Sequence, residues 1–390
     1  MSGIKNFFAT RWGIILAGAI IGVLAAILQK LGNPGNMGIC VACFNRDISG
    51  GLGLHRAAVV QYVRPEIIGL VLGATIAAIV AGEFRSRGGS SPVIRFILGA
   101  FAMIGALVFL GCPWRTILRL SGGDLNAIAG LAGLVVGIWI ATLFFKNGFS
   151  LGKSSGMTPL SGWIFPVVML GILIAVFIYP APSEVADETA NSVQIGQGLW
   201  YSIKGPGSMH APLFISLIAG LLIGWLAQRS RFCTMGAFRD LILFGQTHLL
   251  TGVLGFLIAA FIVNIILNQF NPGFTGQPIA HTSHVWNFLG MVLAGMAFAL
   301  AGGCPGRQCF MAGEGDSDAS TFVIGMIVGA AFAHNFFLAA GPDKMVDGAL
   351  KIGGPGPNGV IAVIVGLVFC LVVGLLMKPA NYKTRVSGVN

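Results

Sequence analysis

Apolar runs about as long as a membrane is thick recur from Trp12 to Met377, and they restrict the fold of this chain more than any other feature. A helix crosses the hydrocarbon core with about 20 apolar residues. Ten candidates lie near residues 12–31, 57–82, 93–110, 125–145, 163–180, 212–227, 249–268, 286–302, 320–340 and 359–377. In lipid, a helix satisfies every backbone group within itself. With 55% of the 390 residues hydrophobic and 9% charged, an all-α polytopic membrane protein is expected. The first run follows Lys5 and Arg11 and lacks a small-residue cleavage site before its charged end, so it reads as a membrane helix rather than a cleaved signal.

Lys and Arg set the expected orientation. With the N-terminus in the cytoplasm, the inner loops hold Lys5, Arg11, Arg85, Arg87, Arg95, Lys146, Lys153, Arg229, Arg231, Arg239, Arg307, Lys378, Lys383 and Arg385. The longest outer loop, about 181–211, carries Glu184, Asp187 and Glu188 against Lys204. This positive-inside asymmetry predicts two cytoplasmic termini. The basic residues are scattered, which argues against a nucleic-acid partner. Seven cysteines without a close pair of pairs suggest neither a zinc site nor a disulfide framework, and no cofactor is expected.

The chain is also duplicated. "ICVACFNRDI" and "FCTMGAFRDL" align Cys40, Arg46 and Asp47 with Cys233, Arg239 and Asp240 at an offset of 193, and His55 with His248. "GCPWR" and "GCPGR" align Cys112, Pro113 and Arg115 with Cys304, Pro305 and Arg307 at an offset of 192, and Asp124 with Asp316. Five crossings per half is an odd number, so the expectation is a 5+5 inverted repeat with short re-entrant helices. Its parts are a first repeat over 1–182, an extracytoplasmic linker over 183–211 and a second repeat over 212–390. The Cys40 and Cys112 motifs then approach from outside, and the Cys233 and Cys304 motifs from the cytoplasm.

Proline after Cys112 and Cys304 ends the incoming helix and suits the first position of a new one. Each cysteine becomes an N-cap, its sulfur beside unpaired N–H groups that also favour an anion. The expected path is lined by Cys112, Cys304, Cys40 and Cys233. Arg115 and Arg307 either touch the substrate or anchor a loop through Asp124 and Asp316. Arg46 and Arg239 read as anchors for Asp47 and Asp240, and His55 and His248 as loop-anchoring or interfacial. Cys43, Cys309 and Cys370 have no twin; Cys309 could form a redox pair with Cys304. "GGPGPNG" from Gly353 lacks the ending of a phosphate loop and reads as a turn.

The two Gly-Cys-Pro motifs, "FRDL" after a cysteine and "GGCPGRQCFMAGEGDSDA" resemble the YeeE/YedE family of bacterial inner-membrane sulfur-compound transporters. "NPGNMGICVACFNRDISGGLGLHRAAVVQYVRPEIIG" and "RLSGGDLNA" are similar to its YedE-related branch, assigned to selenium transport. The resemblance implies import of thiosulfate or a selenium species through an hourglass path on which thiols hydrogen-bond the terminal sulfur. Cys112, Cys304 and the cysteine of the earlier motif, Cys40 or Cys233, correspond to those thiols. It also implies a place in the bacterial inner membrane and leaves room for a cytoplasmic sulfur- or selenium-carrier protein as partner. Importing an anion against an inside-negative potential costs about 2.3 kcal/mol per charge per 100 mV, and the sequence holds no nucleotide-binding motif to drive it. The competing functions are a membrane thiol oxidoreductase cycling Cys304 and Cys309, and a non-specific anion channel.

Overall fold

The computed structural model describes residues 7–182 and 190–378. Lys5, Glu184, Asp187, Glu188, Lys383 and Arg385, which carry part of the orientation argument, lie outside the described residues, as do both termini. Among the described residues from Arg11 on, seven α-helices precede the 190–211 segment: α1 (Arg11–Lys30), α2 (Val41–Gly51), α3 (Pro65–Ala81), α4 (Pro92–Phe109), α5 (Pro113–Ser121), α6 (Asn126–Lys146) and α7 (Pro159–Ile178). Seven follow it: α8 (Leu213–Ser230), α9 (Thr234–Phe244), α10 (His248–Ile266), α11 (His284–Ala301), α12 (Pro305–Gly313), α13 (Ser317–Asn335) and α14 (Pro357–Leu376). Among the described residues, ten stretches are long and apolar enough to cross a membrane, and they coincide with the ten runs of the sequence.

Proline opens α3, α4, α5, α7, α12 and α14, where its missing N–H costs nothing. The helix before each Gly-Cys-Pro motif stops at the same register position. Leu110 after α4 has φ 63° and Gly302 after α11 has φ 91°, both left-handed. Glycine adopts this conformation freely, whereas leucine is strained by roughly 1–2 kcal/mol.

Packing crosses between the halves. α3 lies along α8 and α1 along α10; α6 lies along α11 and α4 along α13; α4 and α11 meet each other. Exchanging the first seven helices with the last seven turns each of the first two pairings into the other, and likewise the second two. The contact pattern is the one a duplicated chain gives. A side chain at Gly73 would strike the Leu221 carbonyl, and one at Gly18 the Gly252 carbonyl, so these helices approach backbone to backbone.

Short two-stranded ladders lie in the connections. β1 (Arg87–Gly88) pairs with β2 (Ser155–Gly156), β3 (Ser192–Gln194) with β4 (Trp200–Ser202), and β5 (Lys344–Val346) with β6 (Ala349–Lys351), all antiparallel. The 190–211 segment folds back onto the first half. Ser202 N–H donates to Gln61 O at 2.8 Å, and Tyr62 stacks on His210 with ring centroids 4.3 Å apart.

Candidate substrate pathway

Four short helices, α2, α5, α9 and α12, begin at cysteines in the interior. Cys40, Cys112, Cys233 and Cys304 are their N-caps. Cys40 Sγ accepts from Cys43 N–H at 3.4 Å and Cys233 Sγ from Gly236 N–H at 3.2 Å, which is N-cap geometry with sulfur in place of a hydroxyl. Proline announces the caps at Cys112 and Cys304. Capping by Cys40 and Cys233 carries no such signal, since Val41 and Thr234 follow.

The caps meet in pairs within each half. Cys40 Sγ lies 3.7 Å from Cys112 Sγ, and Cys233 Sγ lies 3.8 Å from Cys304 Sγ. Backbone N–H groups of Ala42 and Arg115 face the Cys112 sulfur, and those of Thr234 and Arg307 face the Cys304 sulfur. Each pair therefore stands where two helix N-termini converge, with N–H donors and the positive ends of two dipoles directed at one point. Such a point stabilises negative charge, and the thiols add weak donors with large, polarisable sulfurs.

Cys304 thus meets Cys233 rather than Cys309. Cys309 is buried beside Asn45 Nδ2 at 3.9 Å, and Cys43 beside the Leu110 carbonyl at 3.8 Å. Cys370 is buried on α14. His55 Nε2 lies 3.1 Å from Arg46 O, and its ring lies 4.7 Å from that of His334. His248 instead opens α10.

The expected anchors resolve unevenly. Arg46 and Arg239 each bind the aspartate next to them, at 2.6 and 2.8 Å. Asp124 is held by Arg119 at 2.5 Å rather than by Arg115, and Asp316 by Arg87 at 2.8 Å rather than by Arg307. Arg115 is engaged on the backbone carbonyls of Leu110, Asn36 at 3.2 Å, Pro278 at 3.2 Å and Ile279 at 3.1 Å, and its Nη1 lies 3.8 Å from Cys43 Sγ. Arg307 has no such cage; its Nη1 approaches Glu314 Oε1 only to 3.9 Å and makes no hydrogen bond.

Sequence reading also missed Arg64 and Trp114. Arg64 joins Asp47 at 2.7 Å and donates to the Met209 and Pro206 carbonyls, so it ties the linker to α2. Trp114 is fully buried, its ring edge-on to Phe232 and Phe256 at 5.7 and 6.0 Å.

The two necks differ in their surroundings. Beside the second pair, a cavity of about 370 Å³ is lined by Arg95, Arg239, Phe244, Ala301 and Gly302 among others. It reaches the residues that lead into Cys304. On the first half's side, Arg64 binds the linker and Arg115 the 267–283 loop, and a cavity of about 410 Å³ is lined by Arg56, Ala57 and His334 among others.

The sulphur transport family matches residues 1–140 and 229–387, and so covers both necks. Among curated proteins, the thiosulfate transporter TsuA of Spirochaeta thermophila is 27% identical over 192 residues, 45% of this chain and 56% of that protein. The thiosulfate transporter TsuA of Escherichia coli is 30% identical over 108 residues, 27% of this chain and 30% of that protein. The chain therefore spans about half or less of the length of these relatives, both of which are named as transporters. A match across both cysteine-capped halves, on a frame of ten membrane-length helices, makes this chain a member of the sulphur transport family, the multi-pass YeeE/YedE transporters.

Proposed function

We propose that the protein carries a small anion with a soft chalcogen end, thiosulfate or a selenium species, past its two thiol pairs. The observation that carries this reading is the pairing of Cys40 with Cys112 and of Cys233 with Cys304, each at two converging helix N-termini. A hydroxyl at these caps would favour any oxyanion equally, whereas a thiol favours a polarisable sulfur or selenium terminus. Cys112, Cys304, Cys40 and Cys233 then line the path, and Arg46, Asp47, Arg239, Asp240, Asp124 and Asp316 hold the short helices in place. With the positive-inside orientation, the open cavity beside Cys304 faces the cytoplasm of a bacterial inner membrane, where a sulfur- or selenium-carrier protein would receive the cargo.

The test is uptake of labelled thiosulfate and of labelled selenite by cells lacking other routes, with wild type, Cys112→Ser and Cys304→Ser. Loss of uptake of one label in both variants supports the reading and identifies the substrate. Equal uptake by all three proteins removes the thiol path and leaves a non-specific anion channel.

A further inference from the structure

Three buried hydrogen-bond donors without a hydrogen-bond partner belong to, or pack against, the residues that follow the second thiol pair. Trp114 Nε1, Thr234 Oγ1 and Arg307 Nη1 have no hydrogen-bond partner among the described residues. Trp114 and Thr234 are wholly excluded from the surface, and the Arg307 side chain is 17% exposed. An orphaned buried donor is costly, and native interiors keep few of them. Two wholly buried donors, beside a third whose nearest acid is Glu314 at 3.9 Å, leave room for an acceptor.

Their placement is local. Thr234 follows Cys233 and turns its backbone N–H to the Cys304 sulfur, as Arg307 does. Trp114 belongs to the first neck but reaches the second, where an added Cβ at Gly306 would stand 2.7 Å from its Cζ2 atom. The two motifs differ at this register position: tryptophan in one half fills the space that glycine leaves in the other. Phe232, which precedes Cys233, closes the far side of the indole.

The first neck disposes of the corresponding side chains differently. There Arg115 spends its donors on carbonyls, Thr116 Oγ1 bonds the Cys112 carbonyl at 3.1 Å, and Val41 stands where the other half has Thr234. Orphaned groups remain there too, Arg119 Nη2 on α5 and Asn45 Oδ1 on α2, but both lie farther along their helices from the capping cysteines than Thr234 and Arg307 do.

We propose that Trp114 Nε1–H, Thr234 Oγ1–H and the Arg307 guanidinium form an oxyanion cradle. It binds the oxygen end of the anion while Cys233 and Cys304 hold its sulfur or selenium end. This rests on the thiol-path reading and adds to it a resting place for the substrate with a defined polarity. The cradle explains how one site tells thiosulfate from sulfide, which has no oxygens, and from sulfate, which has no soft end.

Thiosulfate binding to the purified full-length protein tests it, followed by tryptophan fluorescence and by thermal stability. Thr234→Val keeps the shape and removes an unsatisfied hydroxyl, so the unliganded variant melts no lower than wild type while its thiosulfate Kd rises about tenfold, as befits a lost hydrogen bond to a charged ligand. Trp114→Phe loses the thiosulfate-dependent fluorescence change. Wild-type Kd in Thr234→Val, or a retained fluorescence change in Trp114→Phe, overturns the cradle. If Cys304→Ser still fails to transport in that case, the thiol path stands without it; if Cys112→Ser and Cys304→Ser transport normally, the path itself falls.

Discussion

The helices α2 and α9 begin with the same cysteine and carry the same Arg-Asp dipeptide, yet they live in different surroundings. Every residue of α2 is buried, and Asp47 is neutralised twice, by Arg46 and by Arg64. On α9 only Thr234 to Ala237 are buried, and the Arg239–Asp240 pair is 33% and 18% exposed. The connection to the next long helix is thirteen residues after α2 and three after α9, and the 190–211 segment packs on the longer one. The longer connection and the docked 190–211 segment bury α2, whereas α9 is half-exposed beyond Ala237.

The comparison breaks or sharpens at defined positions. Asp47→Asn strands two buried guanidinium groups and is expected to cost about 3–5 kcal/mol, whereas Asp240→Asn costs at most about 1 kcal/mol; melting of the two variants in detergent measures the gap, and similar losses would mean α9 is buried as deeply as α2. Gly306→Ala puts a methyl group against the Trp114 indole and should cost about 1–3 kcal/mol, relieved when combined with Trp114→Phe. No relief in the double variant would separate Trp114 from the second neck. In variants that keep one path cysteine each, a maleimide should modify Cys233, 6% exposed, at least about tenfold faster than Cys40, which is wholly buried.

The smallest effect concerns the rim of the second neck. Arg231 joins Glu83 at 2.8 Å and Glu314 at 2.7 Å, clasping the α3–α4 loop to the second half. Burial acts to raise the Glu83 pKa, but hydrogen bonds from Gln228 and Arg229 and the charge of Arg231 outweigh it and hold it below its ordinary value. A depressed carboxyl stabilises above its unfolded pKa, about 4.3, and that contribution is lost as pH falls through the folded value. Glu83→Gln should therefore lower the melting temperature slightly at neutral pH and not at all in acid; an equal loss at both would assign the effect to packing.

Periodicity and duplication made much of this legible from the sequence. Apolar runs located all ten spans because a lipid-facing helix can hardly hide its composition, and proline placed the caps at Cys112 and Cys304. What repeat alignment reveals is what the halves share. Arg64, Arg119 and Arg87 align with Leu257, Met311 and Ile279, so a search for shared residues passed over the cations that neutralise Asp47, Asp124 and Asp316. Trp114 was passed over for the same reason, since its counterpart is Gly306. Which cysteine meets which depends on the N-termini of α2 and α5, and of α9 and α12, being brought together, and sequence spacing does not carry that distance.

The cross-packing of the helices also bears on how the chain is made. The faces of α1 and α3 that carry Gly18 and Gly73 have α10 and α8 as partners, and these leave the ribosome well over a hundred residues later. Until then the first five spans reside in the bilayer with bare backbone grooves and with Asp47 and Arg64 lacking their linker. Completion of the first half thus waits on helices of the second, and a ribosome stalled before α8 would leave a nascent chain that membrane quality control can recognise by its open grooves and its half-shielded charges.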